Sequence, residues 1–285
     1  MEGLLKYLME AKELTPEQKS RLDELKDLLE GEKYENVVDR LNEMLKDPRL
    51  AAIIEDAFGG PLAEVDLKMS KTTVAAGSLQ PTQNEIDFSK SLSRGLGEGC
   101  TKSIDLYFNP PVELGIPLIT YNKVFIIDGH HRWSQVCCFN RKAKMKVINF
   151  EGDMSAAEFL KAVQGSIAAT LLAKGEKNPQ LPISVVKPGM NLLDMSPNEL
   201  KQHIEADITD ECVEALSKYV KSVTDKDSAV KYLVKNGKAM HNNNRPIDGA
   251  SGRPYMPQTD KVEPRPDNDI NGELKKRMTK TTQIK

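Results

Sequence analysis

The segment Asp128-Gly129-His130-His131-Arg132 places a carboxylate, a residue without a side chain, two imidazoles and a guanidinium in direct succession. The chain has only four histidines, so half of its imidazole chemistry sits at this one point. The chemistry such residue types suit is anion binding. A glycine lets a ligand approach the backbone closely, and arginine grips phosphate or carboxylate oxygens through a planar, permanently charged fork. Neighbouring histidines on a helix start point in different directions, so one can touch a ligand while the other packs or caps. Three roles are open to Asp128: capping the helix, holding a histidine in one tautomer, or helping to bind Mg²⁺ beside a phosphate. A metal site built on the two histidines is not expected, because adjacent imidazoles diverge and no third ligand follows at useful spacing. The bland alternative runs alongside: Asp128 as an N-cap, Arg132 as a surface charge and the histidines as satisfied polar residues.

Chemistry at this point needs elements that hold it there. Val124 to Asp128 reads as a strand, and a helix opens at Gly129, burying Trp133, Val136 and Cys137. A strand running straight into a helix leaves unpaired N–H groups at the junction, where the helix dipole adds partial positive charge. Asn122-Lys123 has the form of a hairpin turn between two strands. Upstream, residues 71–92 give a β-like piece, a turn at Gln80-Pro81 and a helix carrying Ile86, Phe88 and Leu92. Gly95, Gly97, Gly99 and Asn109-Pro110-Pro111 suggest loops, and residues 144–150 supply another strand. Trp133 is expected to wedge between its helix and the sheet. Strand, turn, helix, strand is an α/β or α+β core.

On either side the pattern is helical. Residues 1–60 read as a helical module, with Thr15-Pro16-Glu17-Gln18 as a helix start and Gly59-Gly60-Pro61 as its end. Residues 152–240 read as a C-terminal helical segment: 154–172 is amphipathic, Ser196-Pro197-Asn198-Glu199 has the form of a capping box, and Thr209 and Thr224 are cap candidates. From 241 to 285 apolar residues thin out among Pro, Asn, Asp and Lys, a composition that buries too little to offset its ordering entropy. This is expected to be an extended or disordered tail. Its apolar island Arg253 to Asp260 suits a docking peptide or a strap.

Composition narrows the classes further. Forty basic and 42 acidic residues nearly cancel, so no global field draws the chain to nucleic acid or a lipid surface. The apolar runs fall short of the about 20 residues that span a bilayer, and the charged start lacks the apolar region of a signal peptide. A cytoplasmic location is expected. Cys100, Cys137, Cys138 and Cys212 form no CxxC pair or zinc spacing, so buried, reduced thiols are expected.

At this point the residues carry a resemblance. Leu79-Gln80-Pro81-Thr82-Gln83-Asn84-Glu85-Ile86 before a helix, then a hairpin, Ile126-Ile127-Asp128-Gly129-His130-His131-Arg132-Trp133 and a closing strand, resembles the core of the ParB/sulfiredoxin superfamily over about residues 70–151. The Asp-Gly-His-His-Arg form is similar to that of ParB-like free serine kinases, which transfer phosphate from a nucleotide to a small hydroxyl substrate. The resemblance implies a small ParB/sulfiredoxin-like core over those residues, so the expected architecture is an α+β core flanked by the N- and C-terminal helices and the extended tail read above. It implies phosphate contacts from Gly129, His130, His131 and Arg132, with Gln83 as a further polar contact. It also implies a general base at Glu85, with Asp128 and His131 as the other catalytic candidates. ATP, ADP or CTP is the implied ligand, with Mg²⁺ as a companion ion.

Departures from the family shape the expectations. A histidine stands where sulfiredoxins carry a catalytic cysteine, so that redox activity is not expected. Residues 201–240 balance their charges, which disfavours partition-type DNA binding. The leading expectation is a nucleotide-binding phosphotransferase or nucleotide hydrolase. Two others stand beside it: a structural or assembly protein, phage-encoded and contacting a protein partner or its own copies through the arms and tail, in the host cytoplasm or the virion; and a ParB-like DNA-binding protein or nuclease. For a nuclease, Asp128 alone supplies no acidic metal cluster.

Overall fold

A computed structural model describes residues 68–115, 117–157, 159–160, 186–250 and 252, with Pro16 in addition. The module expected over 1–60, most of the amphipathic stretch over 154–172 and the tail beyond 252 lie outside the described residues. The strands are β1 (Lys68–Ala75), β2 (Gln80–Pro81), β3 (Leu118–Tyr121), β4 (Phe125–Asp128) and β5 (Lys144–Glu151). The helices are α1 (Phe88–Leu96), α2 (Thr101–Phe108), α3 (His130–Phe139), α4 (Pro197–Asp207), α5 (Asp210–Ser217) and α6 (Lys226–Asn243). The sheet runs in the order β1-β5-β3-β4-β2, with β2 parallel to β4 and β3 antiparallel to it. This is an α+β fold. Among the described residues, no helix is long and apolar enough to cross a membrane.

Local chemistry explains most of these elements. Asn122 and Lys123 have φ of 52° and 58°, the paired left-handed conformation of a type I′ turn, whose twist matches the flanking strands. Asp87 caps α1 by accepting from the Lys90 N–H at 3.0 Å. Ser196 and Glu199 form the expected reciprocal box at α4, and Thr209 caps α5. At α6 the cap is Asp225 rather than Thr224: Asp225 and Ser228 make the box, because that carboxylate reaches the Ser228 N–H at 2.8 Å.

The glycine-rich stretch departs from expectation. Gly95 lies inside α1, where a Cβ would meet the Phe139 ring at 2.4 Å. The glycine is there for close helix packing, not for a turn. α2 follows, with no side chain of its own capping it. Its start is held from α5 instead: the Glu211 carboxylate accepts from the Gly99 N–H at 2.8 Å, the Thr101 N–H at 3.3 Å and the Thr101 hydroxyl at 2.8 Å.

One compact unit combines Ser70–Asn149 with Ser184–Arg253, so α4 to α6 share the core of the sheet and α3. That core includes Phe88, Leu92, Tyr107, Trp133, Phe139, Leu216 and Leu233. Trp133 is fully buried and donates from Nε1 to the Ala76 carbonyl at 2.8 Å, in the wedged position expected of it. α6 runs through His241, where the tail was expected to begin, and Asn244 beyond it is only 2% exposed. The Asn244 amide donates to the carbonyls of Gly77 (3.0 Å) and Leu79 (2.5 Å) and accepts from Arg141 at 2.9 Å. Three polar groups depend on this side chain, so Asn244→Ala should lower the unfolding free energy by about 2 kcal/mol. Urea unfolding checks this, and a loss under about 0.5 kcal/mol would mean that water replaces the amide without penalty.

Candidate functional site

Because β2 and β4 are parallel, with Pro81 opposite Ile126, their carboxyl ends lie side by side. The chain leaves β2 into the 82–87 loop and leaves β4 into α3. Ligands of open α/β sheets gather at such carboxyl ends.

Gly129 is the N-cap of α3 at φ 97°, and no side chain caps this helix. Asp128 therefore does not take the capping role. It faces Arg132 instead, with Oδ2 to Nη2 at 3.8 Å, close enough for charge attraction and too long for a hydrogen bond. The guanidinium folds back over Gly129: a Cβ there would lie 2.8 Å from Nη2, 3.1 Å from Nε and 2.3 Å from Leu118 Cδ2. Nε and Nη2 are buried and have no hydrogen-bond partner.

The two histidines act as pegs. His130, 3% exposed, accepts the Thr82 N–H at Nε2 (3.2 Å). The Thr82 hydroxyl donates to the Ile126 carbonyl at 2.6 Å. Burial first, then the neighbouring His131 and Arg132 charges, push the His130 imidazolium down from an ordinary value of 6.5 to about 3, so the ring is neutral, as accepting an N–H requires. His131 accepts the Asp87 N–H at Nε2, also at 3.2 Å. The phosphate contact expected of His130 meets a buried ring already engaged with protein. Its place is behind the site, not in front of it.

The 82–87 loop is fixed along its length. Asn191 accepts from the Ile86 N–H at 2.9 Å and donates to the Asn84 carbonyl at 3.0 Å. The Ile86 carbonyl accepts from the Leu192 N–H at 2.7 Å. Gln83 turns inward and donates to the Glu85 carbonyl, so the polar contact expected of it is made to the loop itself. Glu85 keeps a carboxylate oxygen, Oε2, that is buried without a hydrogen-bond partner. Thr82 and Asn191 were missed as site builders. Asn191 lies 105 residues from Ile86, and nothing in its own neighbourhood marks it.

Among the described residues no three His, Cys, Asp or Glu side chains gather as a metal-holding group. With Asp128 facing Arg132, these residues do not make a protein-held Mg²⁺ site. The fold and site define an α+β protein with a glycine-started, uncapped helix at the carboxyl ends of a parallel strand pair. No protein-family model matches the chain, and no curated protein or solved structure matches it either.

Proposed function

We propose that the chain binds a nucleotide through its phosphates at the start of α3, as a phosphotransferase or nucleotide hydrolase. The observation that carries this reading is the Arg132 guanidinium, with Nε and Nη2 buried and without a hydrogen-bond partner over Gly129. A buried donor left unmade costs about 1–3 kcal/mol, more when charged, and a phosphate oxygen is the acceptor its geometry suits. The first-turn N–H groups of α3 lack intrahelical acceptors and add to the same anion site. In phosphoryl transfer, positioning and charge neutralisation do most of the work. In that scheme Arg132 neutralises phosphate charge, Glu85 Oε2 takes the proton of the attacking hydroxyl or water, and His130 and His131 hold the two segments in register.

A thermal-shift panel of ATP, ADP, CTP and GTP, with and without Mg²⁺, tests it on the parent and on Arg132→Ala. Ligand at about 100 times its dissociation constant adds roughly 2.7 kcal/mol, a clear rise in melting temperature. The expected result is a rise with one nucleotide that disappears in Arg132→Ala, while the ligand-free variant melts no lower than the parent. An equal rise in the variant, or none in the parent, overturns the reading. Glu85→Gln should keep the nucleotide shift and lower turnover by about 100-fold or more, in the range of a lost general base; a variant that turns over normally would remove Glu85 from that role.

A further inference from the structure

Residues 201–240 carry seven acidic and seven basic side chains, but the fold sorts them. α4 and α5 hold six acidic residues and one lysine, whereas α6 holds four lysines and one aspartate. α6 packs along α3 and the turn that follows it. Tyr232 donates its hydroxyl to the Phe139 carbonyl at 2.6 Å, Asn236 donates to the Cys138 carbonyl at 2.9 Å, and Arg141 donates to Asn244 at 2.9 Å. These bonds join two stretches that lack acids altogether: residues 129–150 contain five basic residues and 228–247 contain four, with no aspartate or glutamate in either. Lys142, Lys144, Lys235, Lys238 and Arg245 are exposed, and none of their cationic groups has a hydrogen-bond or ion-pair partner among the described residues. Of the others, Lys146 faces Glu113, Lys231 faces Asp227, and Arg141 reaches Gly77 and Asn244.

We propose that this basic surface, the turn after α3 together with the outer face of α6, docks on the phosphate backbone of nucleic acid without reading its sequence. Unpaired like charges on one surface repel one another, and a polyanion is the partner that relieves this. Lys231, Lys235, Lys238 and Asn242 recur at steps of four, three and four, so they share the outer face of α6. That row is about 16 Å long at the helical rise. One strand of a duplex carries about one phosphate per 3.4 Å of axis, so the row meets several. A lipid surface fits less well. An interfacial helix buries an apolar face in the membrane, but the apolar face of α6, with Val230, Leu233 and Met240, is already in the core. The exposed large hydrophobic residues among the described ones, Val124 and Tyr219, lie in neither stretch. The surface follows the C-terminal end of α3, whereas the nucleotide site proposed above is at its start, so this inference stands without that reading.

The test is fluorescence anisotropy of a fluorescein-labelled DNA duplex of mixed sequence, titrated with the full chain at rising NaCl. Phosphate contacts from the five free cations predict that log K falls against log salt with a slope of about −4.5. Lys235→Ala/Lys238→Ala should weaken binding and make the slope shallower by about 2. Lys142→Ala/Lys144→Ala should do the same. Both variants should melt with the parent, because these side chains are exposed and unpaired. Lys218→Ala/Lys221→Ala, at exposed lysines outside both stretches, and Arg132→Ala should bind as the parent does. No binding by the parent at about 50 mM salt, an unchanged slope in both lysine-pair variants, or a loss in Arg132→Ala equal to theirs would each overturn the proposal. Binding to vesicles of phosphatidylserine and phosphatidylcholine without binding to the duplex would also overturn it, making the partner a lipid surface.

Discussion

Acidification from pH 7 to pH 4 should destabilise the chain by about 3 kcal/mol through His130 alone. The imidazole is pushed from 6.5 to about 3 in the folded state by burial first and by His131 and Arg132 next. The unfolded chain therefore takes up the proton first. The contribution is intact above about pH 6.5 and drains away as pH falls toward 3, with a slope near 1.4 kcal/mol per pH unit. Structure gives the reason: an imidazolium cannot accept the Thr82 N–H, and protonation would place a second positive charge beside Arg132. Urea unfolding between pH 7 and pH 4, on the parent and on His130→Gln, is the measurement. Glu199, Glu211 and Asp225, whose carboxyls are lowered by their hydrogen bonds, lose their share in both proteins as pH falls below the usual carboxylate range. The difference between the two curves isolates His130, and parallel curves would show that the buried ring is not the proton sink.

Gly129→Ala should lower the unfolding free energy by about 3 kcal/mol. Two effects add. A side chain at φ 97° carries left-handed strain of about 1–2 kcal/mol, and a Cβ 2.3 Å from the buried Leu118 Cδ2 overpacks the core by about 1–3 kcal/mol. The same methyl group would drive Nη2 and Nε of Arg132 from their places, so phosphate binding should be lost along with stability. Gly115 provides the control: its φ is 72° and a Cβ would meet nothing within 4 Å, so Gly115→Ala should show the strain alone. Equal losses at the two glycines in urea unfolding would mean that the space over Gly129 is not filled as described.

The elements legible in the sequence are those whose determinants are local. The Asn122-Lys123 turn, the Ser196–Glu199 box and the start of α3 at Gly129 each depend on residues within a few positions of one another. α2 was not legible because its capping group, Glu211, comes from 110 residues away at Thr101. The glycines before it read as a loop because the ring of Phe139, which requires Gly95 to be small, is likewise remote. The site shows the same division. Asp-Gly-His-His-Arg marked the candidate place, and residue chemistry singled out Arg132 for the anion-gripping role proposed above. What the sequence could not convey is that both histidines turn toward the 82–87 loop, since that depends on β2 lying parallel beside β4. Asn191 remained hidden for the same reason as Glu211.

The compact unit is assembled from two stretches, Ser70–Asn149 and Ser184–Arg253, and this has a consequence during synthesis. The first stretch leaves the ribosome carrying α3 and the turn at Ala76–Ser78 before any of α4, α5 or α6 exists. Asn244, which ties down the Leu79 carbonyl, arrives 165 residues later. β5, the last strand of the sheet, ends at Glu151, and at about 5–20 residues per second the completed sheet waits roughly 5–20 seconds for Asn244. Such delayed closure exposes apolar surface to other chains, and it makes α6 the step that commits this unit of the fold.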